Sequence, residues 1–310
     1  MRRAGWLDFL LRRRQSPEPA LSKEPLRIGL ALGGGFARGI SHAGVLKVFD
    51  ENRIPIHAIA GVSAGAIVAA AYASGTSPAE IARVGCSMRF TDVARWTICR
   101  MGFVGSERME KFLRRLLQAF RFEDMKVPLG VVATDLSTGE PVLFRDTGDV
   151  NLPIRASCSY PGLFQPVKMG DLLMVDGAMS MEVPALVVRR LGATRVISVH
   201  LPMQGVATPP SNVFQVVNRS FQIMQRRMED GWRRMSDMVI APEVQGVQWD
   251  EFSSALSLIE SGEKAARAVL PEIRAWLDME KLAAGPPALP MPTNGDGRGY
   301  HQVDCTLKKS

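Results

Sequence analysis

This chain is poor in cysteine, and nothing pairs the few it has. Cys86, Cys99, Cys158 and Cys305 are the four. No two of them have C-x-x-C spacing and no metal-ligand cluster forms around them, so the expectation is reduced thiols in a cytoplasmic protein without a metal site. A secretion signal is also missing. The first residues read MRRAGWLDFLLRRR. Their apolar stretch is short, Asp8 interrupts it, three arginines follow it, and no small-residue cleavage site appears. No secretion by that route is expected. One run, residues 55–79, has no Asp, Glu, Lys or Arg and is about as long as a spanning helix. It is rich in Ala, Gly and Ser with Pro near both ends, so a strand, a turn and a helix are expected there instead of a span. The chain has no internal repeat, and no basic tract runs far into its body. Its net charge of +7 is compatible with an anionic membrane surface or with nucleic acid and decides for neither.

What is present suits a sizeable globular core. Of the 310 residues, 46% are hydrophobic and an ordinary 22% are charged, which argues against a disordered chain. Residues 1–25 form a basic, Pro-containing leader. Its first 14 residues set Trp6, Leu7, Phe9, Leu10 and Leu11 between arginines. That pattern suits a solvated terminus or a short helix lying on an anionic bilayer. Strands are expected at 26–32, 57–61, 128–133, 141–144, 171–175, 195–199 and 238–241. Helices are expected from the glycine turn to residue 52, and at 63–73, 106–120, 183–191 and 213–235. A last helical region, 252–277, is expected to break at Pro271. Phe214, Val217, Phe221, Met224, Met228, Trp232 and Met235 form one stripe, the pattern of a helix that covers a sheet. From residue 284 the chain is rich in Pro and Gly, and residues 281–310 are expected to be a disordered tail. The alternation of strands and helices predicts an α/β protein. Its mostly parallel sheet is sandwiched by helices in one domain over residues 26–280.

Three constellations carry chemistry. Gly61-Val62-Ser63-Ala64-Gly65 is a G-x-S-x-G between a strand and a helix, the setting of a nucleophile elbow. Ser63 would stand at a helix N-terminus, where developing negative charge is favoured. A capping serine between two packing glycines has the same pattern. Gly33, Gly34 and Gly35, followed by Arg38, let backbone N–H groups converge on a phosphate or on the oxyanion of an acyl transfer. The dinucleotide fingerprint fails because Arg38 stands where its third glycine belongs, and no G-K-[ST] of a P-loop follows. Asp176-Gly177 ends a strand, where α/β sheets place their active sites, and an Asp-Gly pair is also an ordinary turn.

Together these motifs resemble the patatin-like phospholipase family, over roughly residues 26–275. Ala156-Ser157, Tyr160-Pro161-Gly162, Thr134-Asp135 and Asp237 with the strand after it look like further landmarks. The resemblance implies that Ser63 attacks an ester carbonyl and Asp176 takes its proton and later activates water. It implies that the N–H groups of Gly33, Gly34 and Gly35 hold the oxyanion. Arg38 would steady that loop or meet a phosphate head group. The implied activity is hydrolysis of lipid or phospholipid acyl esters without metal or cofactor. The implied partners are that lipid and a membrane touched peripherally, with no nucleic acid; the oligomeric state stays open. A non-catalytic regulatory or interaction protein on the same fold is the alternative. Met181-Glu182 stand where relatives often carry asparagines, which bears on substrate selectivity. His200 follows Ser63 and Asp176 in the chain order of a Ser-Asp-His triad, so it is the competing base. His42 and His57 are expected to be structural, and His301 falls in the tail.

Overall fold

The structure, a computed structural model, describes residues 24–99, 102–202 and 209–284. Most of the expected leader and residues 285–310 of the expected tail lie outside the described residues.

Ten strands and nine α-helices alternate along the described residues. β1 (Ile28–Leu32) leads through the glycine loop to α1 (Ser41–Glu51). β2 (Ala58–Val62), α2 (Ala64–Ser74), α3 (Pro78–Ser87) and α4 (Phe90–Val93) follow. β3 (Arg95–Cys99) and β4 (Gly102–Gly105) form a small antiparallel pair ahead of α5 (Glu107–Leu116). Then come β5 (Leu129–Asp135), β6 (Pro141–Phe144), α6 (Asn151–Ser157), β7 (Val167–Met169) and β8 (Leu172–Asp176). The chain continues with α7 (Ala185–Arg190), β9 (Arg195–Val199), α8 (Val213–Arg233), β10 (Met238–Ile240) and α9 (Ala255–Ala284).

The main sheet has the order β10-β9-β1-β2-β5-β8-β7, with β6 also on β5. β10, β9, β1, β2 and β5 run parallel, and β6, β7 and β8 add antiparallel pairings at one side. Side chains of a strand alternate between faces. Ile28, Leu30 and Leu32 of β1 therefore enter one core, with α1, α2 and α9 over it, while Ala31 enters another beneath α7 and Trp232 of α8. The sheet is thus sandwiched by helices.

The uncharged run 55–79 resolves into β2, a turn and α2. Eight of the eleven residues of α2 are buried and the other three half-buried, as suits a helix apolar all round. Gly75, at φ 100°, closes it in the left-handed conformation that glycine tolerates.

Two expectations about helices are corrected. α9 does not break at Pro271 but passes through it to Ala284, beyond the expected boundary at 280. Ala266, Leu270, Ile273 and Trp276 are buried on both sides of the proline. Arg267–Glu51 and Arg274–Asn52 contacts tie the same stretch to the end of α1. Packing on both sides outweighs the one backbone bond that proline removes. The apolar stripe of α8 covers the sheet only in part. Trp232 is buried, Val217, Phe221 and Met228 are half-buried, and Met224 and Met235 are exposed.

Candidate active site

β2 ends at Val62 and α2 begins at Ala64, so Ser63 alone must reverse the chain. It does so at φ 54° and ψ −125°, a conformation costing a non-glycine residue on the order of 1–3 kcal/mol. Hydrogen bonds hold it on both sides. The Ser63 N–H donates to Oγ of Ser157 on α6 at 2.8 Å, and the Ser63 carbonyl accepts from Ala66 N–H at 2.8 Å. The two motif glycines are packing requirements. A Cβ on Gly61 would stand 2.3 Å from the Gly65 carbonyl oxygen, and one on Gly65 would stand 2.4 Å from that of Leu32.

The sheet brings Asp176 to the same place. β2 occupies one edge of β5 up to the pair Val62–Val132. β8 then takes over, beginning with the next residue of β5, in the pair Ala133–Asp176. β6 pairs with Val131 to Thr134 throughout this changeover, so it fills the opposite edge. β2 is parallel to β5 and β8 is antiparallel, so their C-terminal ends meet head to head. Ser63 follows one end and Asp176 is the other.

Asp176 is fully enclosed. Its N–H donates to the Ser159 carbonyl at 2.9 Å, and its carbonyl accepts from Thr134 Oγ1 at 3.0 Å. Oδ1 accepts from the Ala178 N–H at 2.9 Å. Oδ2 is buried without a hydrogen-bond partner, and Asp176 has no ion pair among the described residues. Burial pushes its pKa up to about 7, against the smaller opposing effects of the Ala178 N–H and the neighbouring Ser63 hydroxyl.

The glycine loop closes the third side. A Cβ on Gly34 would lie 3.4 Å from Cβ of Ser63, so the loop backbone approaches the serine closely. The Gly33 N–H is already spent, donating to the Val199 carbonyl at 3.0 Å. Among the described residues nothing accepts from the N–H of Gly34 or Gly35. His42 Nε2 donates to the Gly33 carbonyl at 2.9 Å from a fully buried ring. Burial lowers the His42 pKa to about 4, so the ring stays neutral. Arg38 is buried too, and its Nε donates to the Gly35 carbonyl at 3.3 Å. Burial lowers its pKa to about 10, partly countered by Tyr160, and leaves it charged at neutral pH.

Two spaces meet at Ser63. One is almost wholly apolar and runs between α2, α3 and α5, lined by Ile40, Ile67, Ile81, Met109, Phe112 and Phe164 among others. The second is polar and holds Asp176, Arg38, Tyr160, Glu182, Asn218 and Gln225. Phe36 lines both.

His200 is elsewhere. Its Nε2 meets Glu182 Oε1 at 3.1 Å, its Nδ1 lies 3.9 Å from Glu229, and its ring packs on Trp232. It makes no hydrogen bond to Asp176 or Ser63. His57 Nδ1 accepts from the Ile28 N–H at 3.2 Å, at the far end of β2 from Ser63. His301 lies outside the described residues. Reading the sequence does not assign a task to Ser157. Its place in the Ala156-Ser157 landmark is the available signal, and that landmark carries no stated task. Glu182, singled out as a departure, lines the polar space and is fixed by His200 and by Trp232 Nε1 at 3.3 Å. Among the described residues no three His, Cys, Asp or Glu side chains gather as a metal site. Cys86 and Cys158 are free thiols, and Cys158 lines the apolar space beside Ser63.

Fold and site define an α/β protein with a strained serine between a parallel strand and a helix, near a buried strand-end carboxylate. Residues 30–189 match the family model of the patatin-like phospholipases, just over half of the chain. The chain belongs to the patatin-like phospholipase family. It is 32% identical over 178 residues to an uncharacterized NTE family protein of Mycobacterium tuberculosis, covering 56% of this chain and 49% of that one. It is 27% identical over 271 residues to a second such protein, of Mycobacterium bovis, covering 78% of this chain and 46% of the relative. Against lysophospholipase NTE1 of Cryptococcus neoformans it is 34% identical over 181 residues, 56% of this chain and 11% of that protein. The chain thus spans about half the length of its mycobacterial relatives. Among solved structures it is similar to VipD from Legionella pneumophila, with TM-score 0.48 and 13% identity, covering 80% of this chain and 67% of that one. No helix among the described residues is long and apolar enough to cross a membrane.

Proposed function

We propose that this protein is a serine acyl hydrolase that cleaves acyl esters of lipids or phospholipids through a Ser63–Asp176 dyad. One observation carries the reading. The strained serine stands where an apolar space, of the chemistry a fatty acyl chain needs, meets a polar space that holds a buried carboxylate without an ion pair.

The chemistry follows from that arrangement. Ser63 Oγ attacks the ester carbonyl carbon while Asp176 Oδ2 takes its proton. A carboxylate held near pKa 7 is a far better proton acceptor than an exposed aspartate, yet still ionised in a large fraction at neutral pH. The carbonyl oxygen becomes an oxyanion within reach of the Gly34 and Gly35 N–H groups, which supplies the largest part of the stabilisation. Gly33 is left out of this role because Val199 already uses its N–H. The His42 and Arg38 bonds to the loop carbonyls keep those donors aimed. Collapse of the intermediate expels the alcohol, which takes the proton from Asp176, and leaves the acyl group on Ser63. Asp176 then draws a proton from water, the resulting hydroxide attacks the acyl carbon, and Ser63 leaves with that proton. The products are a fatty acid and the deacylated lipid.

The test is labelling of the folded protein by a fluorophosphonate probe, with hydrolysis of p-nitrophenyl esters of increasing chain length. Labelling at Ser63 and a preference for longer acyl chains are expected. A folded protein that is neither labelled nor hydrolytic would instead be the non-catalytic relative on the same fold.

A further inference from the structure

α8 is unusual in carrying apolar side chains on both sides. Inward, Gln225 and Trp232 are its buried residues among those described, and Phe221 packs edge-on against Tyr160. Outward stand Val213, Val216, Ile223 and Met224, exposed by 79%, 49%, 52% and 54%. Their spacing of three, ten and eleven residues from Val213 puts them on one face, one and three turns along the helix. A helix that only covered a sheet would show polar side chains there.

The apolar surface continues beyond the helix. Met224 shares a cavity wall with Leu136, itself 52% exposed, and with Pro161, Phe221 and Met228. Leu136 follows β5 directly, and its N–H is fixed to the Leu173 carbonyl of β8. The patch therefore borders the strand ends that carry the site. The helix is fastened to that site from above. Tyr160 Oη donates to Asn218 Oδ1 at 2.8 Å, and Gln225 Nε2 reaches the Ala178 carbonyl at 3.4 Å. Asn218 and Gln225 both line the polar space around Asp176.

Charge selects the partner. Arg226 and Arg227 are exposed, one turn beyond Ile223 and Met224 respectively. A protein partner would need a complementary apolar shape. A lipid surface needs only exposed apolar side chains at the level of the acyl boundary, with cations at the level of the head groups. The chain's net charge of +7 acts in the same direction.

We infer that the outer face of α8, centred on Val216 and Ile223 and flanked by Arg226 and Arg227, docks on an anionic phospholipid bilayer. The purpose of this contact rests on the lipid-hydrolase reading; the contact itself does not.

The test uses the full chain with Ser63→Ala, so that vesicles are not consumed, and sedimentation with phosphatidylglycerol-containing or pure phosphatidylcholine vesicles. The expected result is preferential binding to the anionic vesicles, weakened by salt. Val216→Ser with Ile223→Ser should abolish most of it. Arg226→Gln and Arg227→Gln should each lower partitioning about fivefold. With Ser63 intact, the same variants should keep hydrolysis of a soluble short-chain ester and lose hydrolysis of vesicle phospholipid. Unchanged vesicle binding in these variants overturns the inference. So does binding lost only when Arg12, Arg13 and Arg14 of the leader are neutralised. A self-association abolished by Val216→Ser with Ile223→Ser, without vesicle binding, assigns the face to a second copy and overturns it too. Failure of the wild type on the soluble ester strikes the hydrolase reading instead, and leaves the vesicle result to stand by itself.

Discussion

Asp176 and His200 are both buried at the C-terminal ends of strands in one sheet, and only their partners differ. His200 lies between Glu182 and Glu229 and against Trp232. Asp176 has no ion pair among the described residues, and its Oδ2 makes no close hydrogen bond, with only the Ser63 hydroxyl nearby. A buried polar group left unsatisfied is costly, on the order of 1–3 kcal/mol, and in a native structure it calls for a reason. On the proposed reading, the contrast separates a group that anchors from one held ready for a proton. Both candidates fit the chain order of a catalytic unit, and neither sequence position alone distinguishes them.

The largest effect expected from that contrast is loss of activity at one member only. Ser63→Ala and Asp176→Asn should each lower kcat/KM by at least about 10³-fold, and the double variant should be little worse, because nucleophile and base act as a unit. Steady-state hydrolysis of a soluble ester measures this, with circular dichroism to show that both variants fold. Substantial activity in Asp176→Asn would hand the base's role to His200.

The second effect is on pH dependence and stability. The folded-state pKa of Asp176 is raised to about 7, above the value of roughly 3.9 for an exposed aspartate. Between those values the folded protein holds the proton more tightly than the unfolded chain. Stability from this group is therefore full below about pH 4 and lost as pH rises through 7. Asparagine carries no such penalty. Asp176→Asn should melt several degrees above wild type at pH 8, with the difference closing toward pH 4. In the wild type kcat/KM should rise with pH through about 7, as the base loses its proton. An Asp176→Asn variant that melts lower at pH 8 would refute the account of an unpaired buried charge.

Ser157 sharpens the comparison from the nucleophile's side. Its hydroxyl accepts from the N–H of a serine in a strained conformation. Ser157→Ala leaves that buried N–H unpaired, at a cost of about 1–3 kcal/mol. The variant should also label more slowly with a fluorophosphonate, because the strained elbow relaxes. Labelling at the wild-type rate with unchanged melting would remove Ser157 from the elbow.

What the sequence makes legible follows the reach of each interaction. The elbow is local: one strand residue, one serine, one helix residue and two glycines at positions where a Cβ would have no room. It can be read from five letters. Asp176 is legible only as a strand end followed by glycine. Its meeting with Ser63 depends on β8 replacing β2 along one edge of β5, a changeover that no local pattern records. The capture of the Gly33 N–H by Val199 is of the same kind, set by the register of β9 on β1. Pro271 and α8 fail for the opposite reason. Their local signals are clear, but packing on α1 overrides the proline, and the outer face of α8 stays uncovered despite its apolar residues. Residues 78–87, 90–93 and 151–157 form helices of ten residues or fewer, too short for their apolar positions to repeat over many turns.

The smallest expected effect is at the histidines, and it decides the comparison as firmly as the largest. His42→Ala removes a donor to the Gly33 carbonyl, one residue away from the proposed oxyanion donors, and should slow turnover without abolishing it. His200→Ala removes a ring that touches two glutamates and a tryptophan but neither Ser63 nor Asp176. Glu182 keeps its bond from Trp232 Nε1 in that variant, so its carboxylate stays in place on the wall of the polar space. The cost should appear in melting temperature, from a buried ring lost and a carboxylate half satisfied. Turnover should stay within about tenfold of wild type for both variants, far short of the loss when a general base is removed. Fluorophosphonate labelling of Ser63, compared at equal folded fraction, is the cleanest measure because it needs the nucleophile and its base but no particular lipid. A well-folded His200→Ala protein with an unreactive Ser63 would mean that the saturated histidine, not the unpaired carboxylate, activates the serine.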